Sequence, residues 1–427
     1  MKLNYRRTFF VGLAFLSISA FWQMYDNIIP LILRDTFGLK DSVTGAIMAI
    51  DNVLAVFLLP IIGTLSDKVD TRWGKRTPFV VIGTIVAAVL MLFMPIADGM
   101  KNLPLFIGAL ALTLIAMAMY RSPAVALMPD LTPKPLRSKA NAVINLMGAV
   151  GGVYTLVLIS VLIKKEDKPS YLPVFIGVVA IMLVAIVVLV LTIKEKKIAA
   201  QIALEYPETA ETEDMDQTAE KTALPKEVKR SLAFILLSIF LWFTAYNAVT
   251  TAFSRYAVSV WDMGVGEAAD CLMVATVAAI ISYIPIGMIA SKIGRKKSIL
   301  IGLVLMLISY GSVFFYSSYH VSATIFFALI GMGWAAVGVN SLPMVVEMSK
   351  DSDIGKYTGL YYTFSMSAQI FTPIVSGLLL DYVSYDTLFP YAVFFTVCAI
   401  VTMSLVKHGD SKPVPKKSML ENFDVED

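Results

Sequence analysis

The sequence predicts an all-α membrane protein: twelve transmembrane helices in two pseudo-symmetric six-helix bundles, with both termini on the cytoplasmic side. Three observations carry this reading. The 427 residues are 57% hydrophobic and only 16% charged, outside the balance of a water-soluble domain. Apolar stretches of the roughly 20 residues needed to cross the hydrocarbon core recur twelve times. A short basic loop occurs twice, six spans apart, which marks a doubled bundle, and doubled bundles ordinarily move solutes across a bilayer.

The spans are expected at 8–33, 43–66, 78–97, 103–128, 140–163, 171–193, 231–260, 267–291, 298–317, 321–346, 356–380 and 388–406. Residues 1–193 form the first bundle, 194–230 a polar cytoplasmic linker without apolar period, 231–406 the second bundle and 407–427 a tail. With the amino terminus inside, 27 of the 35 Lys and Arg residues fall in cytoplasmic tails and loops, the bias that sets orientation. The net charge of +3 thus reflects topology, and nucleic acid is not an expected partner. The first span follows Arg6 and Arg7 but is longer than a signal-peptide core and carries Asp26, so it reads as retained. Cys271 and Cys398, both in apolar spans, support neither a disulfide framework nor a metal cluster.

The repeated loop reads Gly63-Thr-Leu-Ser-Asp67-Lys68, then Arg72-Trp-Gly74-Lys75-Arg76, after span 2. After span 8 it reads Gly287-Met-Ile-Ala-Ser291-Lys292-Ile-Gly294-Arg295-Lys296-Lys297. Trp22, Tyr25, Asp26 and Asn27 of span 1 are echoed by Trp242, Tyr246 and Asn247 of span 7, and Pro129-Asp130 at the end of span 4 by Glu347 at the end of span 10.

On these residues the chain resembles the major facilitator superfamily over nearly its whole length, which implies that family's two-bundle fold. The longer pattern Ser66-Asp67-Lys68 with Arg72-Trp73-Gly74-Lys75-Arg76 and Pro78 is similar to that of sucrose–proton symporters and the glycoside–pentoside–hexuronide:cation symporters. Asp35-Thr-Phe-Gly38-Leu39, and Pro129-Asp130-Leu-Thr with Arg137 and Ala140-Asn141-Ala142, point the same way.

The loop's residue types suit a cytoplasmic gate. Gly63 permits close helix approach, and Asp67 suits the start of a facing helix, where the dipole favours an anion. Arg72, Lys75 and Arg76 are expected to pair with Asp130. Gly74 completes the motif, and Arg295 with Glu347 marks the second copy, which Ser291 weakens by replacing the acid. The resemblance implies that such contacts hold an outward-facing state. The competing reading is a basic loop that only sets topology.

A charge inside the bilayer is costly unless it faces the bundle interior. Asp26 lies ~7 Å outward of the centre of span 1, and Asp51 ~5 Å outward of the centre of span 2, at helical rise. Similar depth makes them a proton-coupling pair, since neighbouring carboxylates share a proton. Arg121 lies about as far on the cytoplasmic side of span 4, ~15 Å below Asp26, which places it lower in a cavity, on substrate hydroxyls or on a carboxylate in one state. Solvation at the outer interface is the alternative for the acids and snorkelling for Arg121. Arg255, near the outer end of span 7, reads as ordinary.

Departures from the relatives matter here. Where glycoside–cation symporters carry a pair of span-2 acids this chain has Ala55 and Leu59, so the sodium site the resemblance implies is put in doubt. Where plant-type sucrose symporters place an Arg in span 4 this chain has Val125, with Arg121 one turn away. Their acid further up that span falls near Leu114.

A sugar is bound by flat faces for its C–H side and amides for its hydroxyls. Trp22, Gln23, Tyr25, Asn27, Asn141, Asn145, Tyr246, Asn247, Tyr361, Tyr362 and Gln369 supply these at span depth, with helix–helix packing as the alternative. The resulting expectation is a proton-coupled symporter of a small, disaccharide-like glycoside. It acts as a monomer in a bacterial plasma membrane, with sugar and lipid as partners, the proton as coupling ion and no cofactor. A proton-coupled drug exporter is the alternative, although Asn145-Leu-Met-Gly148-Ala-Val-Gly151-Gly152 lacks the proline such exporters carry. A transporter-fold membrane sensor is another. No zinc pattern, nucleophile elbow or phosphate-binding glycine loop suggests an enzyme.

Overall fold

The structure, a computed structural model, describes residues 3–133, 136–164, 169–205, 225–348 and 354–410. Most of the 194–230 linker and of the 407–427 tail lies outside the described residues.

Twelve helices are long and apolar enough to cross a membrane. The first six are α1 Tyr5–Leu31, α2 Asp41–Asp67, α3 Thr77–Gly99, α4 Leu103–Asp130, α5 Arg137–Leu162 and α6 Leu172–Thr192. The second six are α7 Lys226–Val260, α8 Val265–Ile293, α9 Arg295–Phe314, α10 Ala323–Val346, α11 Ile354–Tyr382 and α12 Leu388–Ser404. No strand occurs among the described residues. The expected all-α membrane protein is therefore found, with each span within a few residues of its forecast. A π-helical turn, Ile32–Thr36, extends α1, and the start of the linker forms a short helix, Glu195–Glu205.

Within each set of six the packing partners repeat. α1 packs on α5 and α6, as α7 does on α11 and α12. α3 packs on α4 and α6, as α9 does on α10 and α12. Small residues make these crossings close, as in lipid, where helices gain little from excluding one another's apolar surface. A Cβ at Gly151 would collide with the Leu16 backbone, one at Gly302 would fall 2.6 Å from the Gly333 carbonyl, and one at Gly331 would strike Ala275. Thr155 Oγ1 donates to the Ala20 carbonyl at 3.0 Å across the α1–α5 contact.

The chain divides into two compact units, residues 1–39 with 50–215, and 40–49 with 216–427. The outer two and a half turns of α2 thus belong with the second unit, although the sequence places them in the first bundle. The cause is polar. Asp381 accepts from the Asp41 and Ser42 amides at 2.6 Å each, capping α2, and the Asp41 carboxylate takes Arg255 and the Tyr385 hydroxyl. Gly45 lies against the Pro373 carbonyl, where any side chain would clash.

Candidate functional site

In the first unit α1 brings together the expected aromatic and acidic residues. Trp22 meets Phe21 and Tyr25 edge to face, with ring centroids 5.0 and 5.4 Å apart. The Arg121 guanidinium sits over the Trp22 ring, 5.7 Å from its centroid, a cation–π contact. Asp26 is one turn outward of Trp22. It lies within Coulombic range of Asp51, which also feels the charge of Arg121. Asn52 Nδ2 donates to Asp51 Oδ1 at 2.8 Å.

Register fixes the depths. Tyr120 of α4 bonds the Ala14 carbonyl at 2.7 Å and also meets Ser17, and Ser122 bonds the Leu59 carbonyl of α2 at 3.0 Å. From those levels Asp26 stands roughly 15 Å and Asp51 roughly 12 Å further along their helices, towards the end of the spans where α1 finishes and α2 begins, at 1.5 Å per residue. The ~15 Å between Asp26 and Arg121 is thus a backbone distance. The long Arg121 side chain covers part of it, rising to Trp22 rather than staying low in a cavity.

Not every expected residue lies in this cluster. Asn27 is 2% exposed and donates to the Gln23 carbonyl at 2.8 Å, so it serves the packing face of α1. Tyr25, which meets Trp22 within the cluster, is buried as well. Gln23 reaches across to Gly152 of α5, while Asn141 and Asn145 are half-buried on that helix. The Trp22 indole N–H is buried without an acceptor among the described residues.

The second unit holds an aromatic cluster. Tyr246 of α7 stacks face to face on Trp334 of α10, with centroids 3.7 Å apart and planes 4° from parallel. Phe243 meets Trp334 edge-on at 5.1 Å. Tyr361 is buried between Phe243 and Tyr362, near the Ser341 hydroxyl at 3.1 Å. The Asn247 amide N–H is buried with no acceptor among the described residues, and Gln369 is half-buried. Trp334 is absent from the sequence-based set because no residue of the first half echoes it. A tryptophan in mid-span was the available signal.

The basic loop is a dense network. Arg76, 5% exposed, pairs with Asp67 and with Asp130 (Nε to Oδ2, 2.9 Å), meets the Ser66 hydroxyl and donates to the Gly63 carbonyl at 3.3 Å. Lys75 reaches Asp130 at 3.2 Å and Asp67 at 4.0 Å. Asp67 therefore meets side-chain cations of its own loop instead of a helix start. Arg72 does not join them; it is exposed beside Trp73.

A carboxylate absent from the sequence reading completes the loop. Glu195, 2% exposed, accepts from the amides of Lys75, Arg76 and Thr77 at 2.8–2.9 Å and from the Thr77 hydroxyl at 2.7 Å. It caps the start of α3, where free amides and the helix dipole favour an anion. Gly74 turns the chain at φ +115°, and a side chain there would strike Glu195.

The second copy repeats the plan. Gly294 has φ +96°, Asp410 accepts from the Lys296 amide at 2.8 Å, and Arg295 pairs with Glu347. The Lys296 ammonium donates to the Ser404 and Val406 carbonyls at 2.8 and 2.6 Å. The Ser291 side chain lies outside the described residues.

At the opposite end of α2, Asp41 and Arg255 form an ion pair, with side chains 6% and 4% exposed. The sequence reads Arg255 as ordinary and gives no sign of Asp41, because positions 214 apart carry no hint that they meet.

Twelve spans in two like-built sets, with charged groups inside and ion-pair networks at the ends, are the build of a multi-pass membrane transporter. The family model described as MFS/sugar transport protein matches residues 10–406, and the chain belongs to that family of the major facilitator superfamily. An uncharacterized MFS-type transporter of Methanocaldococcus jannaschii is 25% identical over 368 residues, 84% of each chain. A sucrose transport protein of Arabidopsis thaliana is 22% identical over 137 residues, 28% of this chain and 23% of that protein. A lactose permease of Lactobacillus helveticus is 38% identical over 52 residues, 12% and 8% of the two chains. Among solved structures the fold is similar to that of the nucleoside transporter NupG, with a TM-score of 0.70 at 14% identity, covering 94% of this chain and all of that one. The protein is a transporter and not an enzyme.

Proposed function

We propose that this transporter carries a small, disaccharide-like glycoside together with protons, by alternating access, in a bacterial plasma membrane. The observation that carries this reading is the pair of span carboxylates, Asp26 and Asp51, within Coulombic range of one another in a sugar-transport family member. Two such groups repel when both are ionised, so one proton taken up at a carboxylate oxygen relieves the pair. Arg121, beside Trp22 and within range of Asp51, ties the protonation state to the position of a charged side chain at a sugar-stacking surface. Trp22 of the first unit offers a ring face for sugar C–H groups, and the second unit by itself holds an aromatic surface of the same kind in Tyr246 and Trp334. The unpartnered N–H groups of Trp22 and Asn247 are donors for hydroxyls.

Sodium is less favoured, because Ala55 and Leu59 supply none of the hard oxygen ligands it needs. The charged networks at the two ends of α2, around Arg76 and around Asp41–Arg255, are the contacts that open in turn. One chain carries both bundles and acts as a monomer.

The test is uptake of radiolabelled sucrose, maltose and melibiose into proteoliposomes under an imposed proton or sodium gradient, with a nucleoside and a dipeptide as controls. The reading expects accumulation of a sugar driven by protons alone and lost in Asp26→Asn or Asp51→Asn. Accumulation of only the nucleoside or the dipeptide would reject the glycoside, and sodium-driven uptake would reject the proton.

A further inference from the structure

A cavity of about 520 Å³ opens where the loop after α2, the end of α6 and the short helix Glu195–Glu205 meet. It falls in the volume range of small-molecule sites, roughly 300–1,000 Å³. Its rim is basic, with Arg72, Lys194, Lys196 and Lys197, and its wall carries Val190 and Ile193. Trp73, 59% exposed, lies at the mouth.

The charges at this rim are not consumed locally. Glu195 is turned inward, where three backbone amides and the Thr77 hydroxyl saturate it. Lys196 is paired with Asp70 at 2.7 Å. Arg72, Lys194 and Lys197 are exposed, and no acid among the described residues pairs with them. Three basic side chains therefore converge on a cavity with no acid among the described residues paired to them.

The position selects the ligand. Thr192 ends α6, and Leu191 beside it is 74% exposed, so the cavity sits where apolar span surface gives way to polar loop. Its lining joins the apolar Val190 and Ile193 to the cations and to the exposed Trp73, and tryptophan is enriched at membrane–water boundaries. The Lys/Arg bias assigns this end to the cytoplasm, whose leaflet carries anionic lipid that basic segments attract. A soluble phosphate compound has no use for the apolar wall. We propose that this cavity is a binding site for the headgroup of an anionic phospholipid. The phosphate meets Arg72, Lys194 and Lys197, the glycerol lies beside Trp73, and an acyl chain runs along Val190. The bound lipid joins the loop after α2 to the end of α6, the two segments that Glu195 also ties together.

The test uses the full-length chain purified in detergent, with bound lipid counted by mass spectrometry of the intact protein. Dioleoylphosphatidylglycerol and dioleoylphosphatidylcholine are titrated in turn. Phosphatidylglycerol is expected to bind at least tenfold more tightly. The double variant Lys194→Gln/Lys197→Gln is expected to lose about 10- to 30-fold of that affinity, the effect of two basic groups near an anionic surface, with phosphatidylcholine binding unchanged. Melting of the variant in lipid-free detergent at the wild-type temperature shows that its fold is kept. Trp73→Leu, which leaves every charge in place, is expected to weaken phosphatidylglycerol several-fold. Equal binding of the two lipids, or an undiminished preference in the double variant, would overturn the proposal. So would displacement of the lipid by glycerol phosphate at matching concentration, which would make the site one for a soluble phosphate compound.

Discussion

At the loop after α2, Arg76 meets two carboxylates, a hydroxyl and a backbone carbonyl, while Glu195 closes three amides and a hydroxyl behind it. At the loop after α8, Arg295 pairs with Glu347, and Asp410 receives the Lys296 amide. The plan is the same: a left-handed glycine, a carboxylate from beyond the last span of the set, and a cation reaching the acid that follows α4 or α10. The strength is not. A repeat can keep its backbone geometry while the number of charges attached to it diverges: among the described residues the first loop carries the larger set of charge-assisted contacts.

Single substitutions break or sharpen this contrast. The largest effect is expected from Arg76→Gln, which removes the buried guanidinium shared by Asp67, Asp130, Ser66 and the Gly63 carbonyl and leaves the two acids to Lys75, at a cost of about 2–3 kcal/mol for the lost charge-assisted bonds. Arg295→Gln should cost only about 1–2 kcal/mol, the loss of a charge-assisted bond. Thermal unfolding in detergent ranks the two, and equal losses would end the claim of inequality. Next come the caps. Glu195→Gln keeps the shape but removes the charge and one acceptor, an expected ~2 kcal/mol, against ~1 kcal/mol for Asp410→Asn.

The glycines follow. Gly74→Ala adds about 1–2 kcal/mol of left-handed backbone strain to a clash with the pinned Glu195. Gly294→Ala bears the same strain but meets only the end of the Asp410 side chain, 2.9 Å away. The smallest change is Lys196→Ala, which removes a pair whose side chains are 56% and 78% exposed. It is worth less than about 0.5 kcal/mol, and that difference should vanish in high salt.

Much of this was legible in the chain. Apolar length placed the twelve spans, because a bilayer admits few alternatives to a continuous helix. The doubled loop of a glycine and basic residues exposed the two-set plan and, Arg72 aside, the pairing of Lys75 and Arg76 with Asp130. Contacts set by the third dimension were not legible. Glu195 stands in a polar run with no period, and its role depends on α6 ending beside the start of α3. Asp41 and Arg255 are 214 positions apart in the chain, and Trp334 has no echo in the first set. Arg121 shows how a correct count of rises can mislead, since a backbone depth ignores the reach of a long side chain.

The inward-turned Glu195 also says where this polypeptide can be divided. Co-expressed halves parted after residue 193 would leave the first without its cap, with the Lys75, Arg76 and Thr77 amides bare and a void beside Gly74. Parted after residue 205, the first half keeps the plug that seals its own end. A seam between two bundles is thus better drawn by the last carboxylate that reaches back than by the last apolar residue.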